Sequence, residues 1–481
     1  MPNPSLPRYL ALERWLLQQI QQQRWLPGER LPSVRDLCRQ KKRSKATVLH
    51  ALQRLEAQGV VEARPRAGYF VLQPAPSVTL SLCPPAVEPR LQPQPVQLDQ
   101  LLTDIMQRNA AFNMLPQRPL DRPPSSLLAL QRCIGRALRQ QSLQTHLAYD
   151  EPAGHIDLRY ALARRYTHQG CPVDPQDITI TSGCQQALFL ALKACCQPGD
   201  LVAVESPGYY GVLQLLQALD LQVIEIPSSS LTGMDLSVLE QAAQQWPIRA
   251  CVVTSYFATP TGASLPISQQ DALLDLAKRQ DFLIIEDDIY RELDFYHPPS
   301  PMKALDLEDR ILLCGSFSKS LSRDLRLGWV INATWQQKIK KLKLITQLAT
   351  SRFIQQGLAD FLQQGLMDKH LRARRLELKT QRDQWQQAIN QVWGQKVNMT
   401  QPEGGLCFWA EWPQALDGLD LYSQALQHRI VLTPGALFST QQTFDHALRI
   451  SFALPCTLEH QAALYQIAAL MPAQARMKTP L

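Results

Sequence analysis

The alternation of apolar and polar positions divides the chain into a short helical head and a long body of strands and helices. Between Pro7 and Gln23 the apolar residues Leu10, Leu12, Trp15, Leu16 and Ile20 recur at helical spacing, which predicts an amphipathic helix with one buried face. Pro27-Gly28 marks a turn. A short helix is predicted over 33–40, with Val34 and Leu37 inward and Arg35 and Arg39 outward. Ser44 can accept from free backbone amides, so a further helix is predicted from Lys45 to about Gln58, packing through Val48, Leu52 and Leu55. Gly59 ends it. Residues 60–63 and 68–71 then read as two strands joined by Arg64-Pro65-Arg66-Ala67.

Seven prolines (Pro74, Pro76, Pro84, Pro85, Pro89, Pro93 and Pro95) fall within 73–97. Proline fixes its own backbone and donates no amide hydrogen, so this density favours an extended, semi-rigid linker. Beyond it, Val/Ile/Leu-rich runs at 178–181, 201–204, 251–254, 283–285 and 311–313 alternate with helix-length stretches. Strands that read as unbroken apolar runs are buried on both faces, the pattern of a sheet with crossover helices. The expected organisation is a head at 1–72, a linker at 73–97 and an α/β body at 98–481. At ~150 residues per domain, 481 residues leave room for about three domains.

Charge sharpens the division. The chain carries a formal +7, yet residues 1–72 alone hold thirteen Lys/Arg against five Asp/Glu, so the remainder is near neutral. A basic head on a neutral body fits a nucleic-acid contact at one end, with a solvated basic face as the alternative that charge alone leaves open. A composition 45% hydrophobic and 19% charged excludes a wholly disordered or fibrous chain. The best apolar run, around 187–196, is broken by Lys193 and falls short of the ~20 residues of a membrane helix. The first thirty residues read as a charged amphipathic helix, not a secretory leader, so a secreted or membrane protein is not expected. Eleven cysteines without a CxxC pair, with Cys195 and Cys196 adjacent, are expected to be free thiols in a reducing cytosol. Their spacing excludes a zinc site of paired CxxC motifs, and no metal is expected.

Helix, helix-turn-helix and a basic two-stranded wing make a winged helix-turn-helix, and the residues carrying it are specific as a set. Leu31-Pro32-Ser33-Val34-Arg35-Asp36-Leu37, Thr47-Val48, Leu52, Leu55, Gly59 and Gly68-Tyr69-Phe70-Val71 resemble the GntR-family DNA-binding domain. The resemblance implies double-stranded operator DNA as a partner. With Ser44 capping the recognition helix as part of the DNA-binding set, Lys45, Ala46 and Thr47 at its start would face base edges, while Arg35, Arg64 and Arg66 would meet phosphates. The family's Ser-Arg-x-Thr reads Ser44-Lys45-Ala46-Thr47 here. Lysine cannot make arginine's bidentate guanine contact, which puts operator preference, more than DNA binding itself, in question.

In the body, Cys314-Gly315-Ser316-Phe317-Ser318-Lys319 follows an apolar run, and Leu325-Arg326-Leu327-Gly328 brings an arginine seven positions after the lysine. Most lysines after strands are surface residues. This one sits among small hydroxyl residues and near a cation, as Schiff-base chemistry on a phosphorylated aldehyde requires. The strand at 282–285 runs into Glu286-Asp287-Asp288-Ile289-Tyr290, where a strand-end carboxylate can pair with a protonated pyridine nitrogen and a tyrosine can reach a phenolic oxygen. Thr181-Ser182-Gly183-Cys184-Gln185 joins a strand to a helix start, where free amides can bind an anion.

Together these motifs resemble fold-type I pyridoxal-phosphate (PLP) enzymes of the aspartate aminotransferase group. The resemblance implies pyridoxal 5'-phosphate as cofactor and Lys319 as the catalytic Schiff-base lysine. It places Ser316, Ser318 and Arg326 at or beside the phosphate, Asp287 at the pyridine nitrogen and Tyr290 at the phenolic oxygen. Gly183, Cys184 and Gln185 would line the phosphate, and Tyr209, within Glu205-Ser206-Pro207-Gly208-Tyr209, would lie over the ring. Tyr149 would reach the phosphate across a homodimer interface. Arg449, within Leu448-Arg449-Ile450-Ser451-Phe452, would bind a substrate α-carboxylate with its planar guanidinium. Two positions depart from the pattern: Cys184, where relatives often have Ser or Thr, and Thr259, which replaces asparagine in Ala258-Thr259-Pro260-Thr261-Gly262. Thr259 is the shorter donor, leaving Tyr290 as the main partner of the phenolic oxygen. No arginine occurs between Tyr166 and Ile248, so no second carboxylate anchor is expected there.

The body resemblance spans about 98–472. Joined to the GntR-like head, it identifies the chain as a member of the MocR subfamily of bacterial transcriptional regulators. The resemblance implies a cytoplasmic, homodimeric regulator, nucleoid-associated when bound to DNA, that senses PLP or an amino compound through aldimine chemistry. The rival expectation is a working aminotransferase carrying a DNA-binding head, because amine exchange and full transamination need the same groups. An inert body is disfavoured by the complete cofactor set.

Overall fold

The computed structural model describes residues 149–471 except 414, 415 and 442, residues 125–141, and near the N-terminus 28–41, 43–57, 61–64 and 68–71. It also describes residues 12, 15, 16, 19, 20, 24, 25, 92, 94, 95, 105, 107, 108 and 113–115. The chain divides into two compact units, Met1–Pro84 and Pro85–Leu481. The expected linker at 73–97, apart from 92, 94 and 95, lies outside the described residues, as do Leu10, Val60 and Arg66.

In the N-terminal unit, Leu12, Trp15, Leu16, Gln19 and Ile20 are helical. Helix α1 (Val34–Lys41) starts where the Ser33 hydroxyl accepts from the Asp36 amide at 3.2 Å and donates to its carboxylate at 2.5 Å. Helix α2 (Lys45–Ala57) starts in the same way, with the Thr47 amide donating to Ser44 Oγ at 3.2 Å. Strands β1 (Val61–Arg64) and β2 (Gly68–Val71) pair antiparallel, Val61 opposite Val71 and Arg64 opposite Gly68. The segment before α1 adds a third edge, since the amides of Gly28 and Leu31 donate to the carbonyls of Val71 and Tyr69. Of the positions expected inward, Leu12, Leu16, Leu37, Val48, Leu52 and Leu55 form the core with Leu31, Val61 and Val71, while Trp15, Ile20 and Val34 are only partly buried against it.

The larger unit opens with β3 (Gln94–Pro95), α3 (Ser125–Arg139), α4 (Ile156–His168), β4 (Ile178–Thr181) and α5 (Cys184–Cys195). It continues through β5 (Leu201–Ser206), α6 (Tyr210–Ala218), β6 (Gln222–Ser229), β7 (Gly233–Met234), α7 (Leu236–Gln245), β8 (Ile248–Val253), α8 (Ile267–Arg279) and β9 (Leu283–Asp287). Then come β10 (Ile311–Ser316), β11 (Gly328–Ile331), α9 (Gln336–Gln347), α10 (Arg352–Gln363) and α11 (Leu366–Trp393). The sheet runs β3-β6-β5-β8-β9-β10-β11-β4, with β7 hydrogen-bonded to β6. From β6 to β10 every pairing is parallel, whereas β11 is antiparallel to both neighbours. The sheet is therefore mixed, a feature that the apolar runs do not reveal.

Alternate residues of each strand feed opposite layers. On β5, Val202 and Val204 pack with α5 and α6, while Leu201 and Ala203 pack with α7 and α8. Burying each Leu, Ile or Val is worth roughly 1.5–3 kcal/mol, so this two-sided burial fixes the positions of the strand ends. A smaller lobe follows, with β12 (Asn398–Met399), β13 (Cys407–Glu411), α12 (Gly418–Gln427), β14 (Ala447–Ser451) and α13 (Leu458–Leu470). Strands β12-β13-β14 form an antiparallel sheet in which Trp409 lies opposite Arg449. Trp385, Trp409, Phe408, Phe438 and Phe452 fill its core. Among the described residues no helix is long and apolar enough to cross a membrane.

Candidate cofactor pocket and nucleic-acid interface

The parallel strands end along one edge of the sheet, the place where ligands bind in open α/β folds. A cavity there is lined by Cys184, Tyr209, Tyr210, Thr254, Thr259, Asp287, Ile289, Tyr290, Lys319 and Arg449. Seven residues singled out in the sequence thus meet, from β9, β14, the turn after β10 and four other segments.

The three consecutive acids after β9's apolar run have separate fates, because successive strand side chains face opposite ways. The Glu286 carboxylate accepts from Ser255 Oγ and from the amides of Met302 and Lys303 at 2.8–2.9 Å. Asp288 takes two 2.7 Å bonds from Arg291 and one of 3.1 Å from the Tyr166 hydroxyl. Only Asp287 lines the cavity. Burial raises its carboxyl to about 6, with the Cys184 thiol and Lys319 holding it down and Asp288 pushing it up.

Lys319 sits in the tight turn after β10, where the amides of Leu321 and Ser322 donate to the Phe317 carbonyl. The Phe317 ring is anchored 4.7 Å from that of Trp329. Burial, then the charges of Arg449 and Arg323, bring the lysine amine down to about 7, against the opposing pull of Asp287. A substantial fraction is therefore neutral, and nucleophilic, near neutral pH.

At the start of α5, Gly183 has φ +95°, and a Cβ there would come within 3.2 Å of the Arg326 guanidinium. Arg326 is itself left-handed, at φ 47°, and its Nη2 donates to the Ser182 carbonyl at 3.3 Å. The Gln347 side chain also donates to the Ser182 hydroxyl. The first intrahelical bond of α5 runs from Ala187 to Gly183, so the amides of Cys184, Gln185 and Gln186 precede the helix's own acceptors. The Gln185 side chain is used elsewhere, donating to the Gly211 carbonyl at 2.8 Å and accepting from the Tyr209 hydroxyl at 3.3 Å. Ser316 is spent on the turn: its hydroxyl donates to the Leu327 carbonyl at 2.9 Å, lies 2.9 Å from Ser318 Oγ and accepts from the Ser318 amide at 3.1 Å. A cradle closed to a Cβ, a guanidinium, free helix-start amides, a low-pKa lysine and a buried carboxylate together fit a phosphorylated pyridine aldehyde.

On the lobe side, the Arg449 guanidinium lies 5.6 Å from the centre of the Phe438 ring, and Phe438 packs on Tyr210 and Trp409. The Thr259 hydroxyl faces the Tyr290 hydroxyl at 3.5 Å and the Cys407 sulfur at 3.6 Å. Cys407 carried no signal in the sequence, because it arrives on β13 from the smaller lobe. Glu205 was legible in principle, as a carboxylate ending a strand like Asp287. Its Oε2 accepts from the Thr254 amide at 3.1 Å, and burial lifts it to about 7. Tyr149 is not among the lining residues and is 82% exposed in the single chain.

In the N-terminal unit, Arg35, Ser44 and Lys45 are exposed and Thr47 half-buried. The Ser44 and Thr47 hydroxyls are 2.9 Å apart, with the exposed Lys45 between them at the start of α2. Arg64 stands at the hairpin end of β1. Lys41 Nζ lies 3.3 Å from the centre of the Trp15 ring, pinning α1 to the preceding helix.

Fold and pocket define a winged helix-turn-helix unit joined to a PLP-binding body of the aminotransferase fold. The family of gntR bacterial regulatory proteins matches residues 8–71, and class I and II aminotransferases match residues 121–463. The chain is 35% identical to the HTH-type transcriptional regulator YjiR of Escherichia coli (strain K12), covering 96% of this chain and 98% of that protein. It is also 35% identical to the HTH-type transcriptional regulator YdcR of the same organism, over 97% and 99% of the two chains. A kynurenine aminotransferase structure from Pyrococcus horikoshii with PMP matches at TM-score 0.69 and 26% identity, covering 78% of this chain and 94% of its own. The chain belongs to the MocR-type transcriptional regulators of the GntR family, with pyridoxal phosphate as cofactor.

Proposed function

We propose that this regulator recognises an amino acid or a related amine in its PLP pocket and converts that recognition into a change of operator occupancy. The observation that carries the reading is the meeting of Lys319, Asp287 and Arg449 in one cavity. When bound, the cofactor supplies an aldehyde able to exchange one amine for another. Lys319 would hold it in place through its partly neutral amine, and that amine can also take up or release a proton near neutral pH. Asp287 presents a carboxylate to the ring nitrogen. Tyr290, with Thr259, would face the phenolic oxygen, while Gly183, Cys184 and Gln185 offer backbone amides and Arg326 and Ser318 their side chains to the phosphate, with Ser316 beside it holding the turn that carries Ser318. Tyr209 covers the ring. Arg449 selects ligands that carry a carboxylate beside the amine.

The protein works as a cytoplasmic homodimer in this reading. The exposure of Tyr149 supports it, since a tyrosine left at the surface of one chain is available to complete the phosphate site of a second. On the DNA side, Lys45 and Thr47 read base edges with Ser44 capping the helix, and Arg35, Arg64 and Arg66 hold phosphates. Ligand can act on the DNA only if it binds two arrangements of the dimer with different affinity.

The test is a titration of PLP-loaded protein with amino acids, following cofactor absorbance, keto-acid release and retention of the native operator. The reading expects an absorbance change and altered operator retention without keto-acid turnover. Sustained keto-acid formation with unchanged DNA binding would establish a working aminotransferase instead.

A further inference from the structure

Cys184 does more than start the phosphate-facing helix. Its Sγ lies 3.1 Å from Asp287 Oδ1, with both residues buried. The neighbouring acceptor, the Cys314 carbonyl at 3.8 Å, already takes the Asp288 amide at 2.8 Å. Cys314 and Asp287 are register partners on adjacent strands, so the thiol stands over two strand ends at once. Burial, and then the charge of Asp287, hold the thiol well above its ordinary range. It therefore stays protonated and can act only as a donor toward the carboxylate.

We infer that Cys184 is a positioning residue for Asp287, holding one carboxylate oxygen so that the other is presented to the cofactor's ring nitrogen. One residue then joins two parts of the pocket, its backbone amide facing the phosphate and its side chain orienting the ring-nitrogen partner. The proposal rests on the reading of Asp287 as that partner. The other groups that bear on the Asp287 charge are Lys319 from the turn after β10, Cys314 on β10, Glu205 from β5, Asp288 beside it, and Tyr209 and Tyr290 on the cavity wall. Glu205 and Lys319 also titrate near neutrality, so the informative quantity is the difference between variants, in which their contributions cancel.

The experiment measures PLP affinity of the full-length protein between about pH 5.5 and 8.5 for wild type, Cys184→Ala, Cys184→Ser and Asp287→Asn. Wild-type affinity should fall toward acid as Asp287 protonates. Removing the thiol donor raises the Asp287 pKa, so the fall in Cys184→Ala should move to higher pH by roughly half to one unit. That is a three- to tenfold weaker affinity in the transition region, at the cited tenfold per pH unit. Cys184→Ser should return the profile toward wild type.

A Cys184→Ala profile superimposable on wild type would overturn the proposal. So would a pH-independent loss of affinity that merely tracked a lowered unfolding temperature, since that is the mark of lost packing. If Asp287→Asn binds PLP like wild type at every pH, the assignment of Asp287 itself fails and takes the proposal with it.

Discussion

Replacing Lys319 with methionine in the cofactor-free protein should stabilise it, by an amount that grows as pH falls. The folded amine is at about 7, against 10.5 for the free side chain, chiefly because it is buried and beside Arg449. A depressed lysine pKa means that the cation is less welcome folded than unfolded. The cost is absent above about pH 10.5, grows as pH falls toward 7, and is constant below that. At ~1.4 kcal/mol per unit, the full 3.5-unit depression is worth about 5 kcal/mol at pH 6 and about 2 kcal/mol at pH 9. Relaxation and partial solvent access at this half-buried residue reduce both values, roughly by half. The Met variant also deprives Asp287 of its cation, which returns part of the gain. A net increment of about 1 kcal/mol between pH 9 and pH 6 remains, corresponding to roughly one degree in a unit of this size. The assay is the unfolding transition of the larger unit, compared between wild type and Lys319→Met at both pH values. An equal gain at the two pH values would show that the lysine amine is not desolvated as the fold implies.

Arg449→Ala should weaken binding of amino acids by 30-fold or more, in line with ~2–3 kcal/mol for a charge-assisted bidentate pair, while PLP affinity changes far less. Equal losses of both, measured by titration, would contradict the assigned role. Arg35→Ala should weaken binding to all DNA sequences alike and reduce the salt slope by about one, whereas Lys45→Ala should also change sequence preference in a competition assay. Gly183→Val should cut PLP affinity by tenfold or more, because the backbone at φ +95° and the guanidinium 3.2 Å from an added Cβ both oppose a side chain. Unchanged PLP binding by equilibrium dialysis would place the phosphate elsewhere.

Among its described residues the head was largely legible, because its helices are amphipathic and its caps, Ser33 and Ser44, are local in sequence. α1 runs Val34–Lys41 against an expected 33–40, and α2 ends at Ala57 against an expected 58. In the body, the apolar runs located the strands but not their ends. β5 continues to Ser206, β9 to Asp287 and β10 to Ser316, past the last apolar residue of each run. One of those polar extensions ends in Asp287, which lines the pocket, and the turn beyond Ser316 carries Lys319 into it, so hydropathy fades where the chemistry begins. The antiparallel β11 and the small β12-β13-β14 sheet carry no local mark either, since strand direction is set by long-range pairing. Motif spacing brought Lys319, Asp287, Thr259 and Arg449 to one place, yet the cross-lobe approach of Cys407 and the thiol contact of Cys184 with Asp287 exist only in three dimensions.

Borohydride reduction of the PLP-loaded protein, followed by peptide mapping, tests the central claim most directly. Reduction fixes the cofactor on whichever amine holds it. Lys343 is a demanding internal control, being fully buried with its amine lowered to about 8, but lying outside the pocket on α9. The account expects the pyridoxyl label on Lys319 and no chromophore of that kind in Lys319→Met. A label on Lys343 or any other lysine, with Lys319 unmodified, would contradict it.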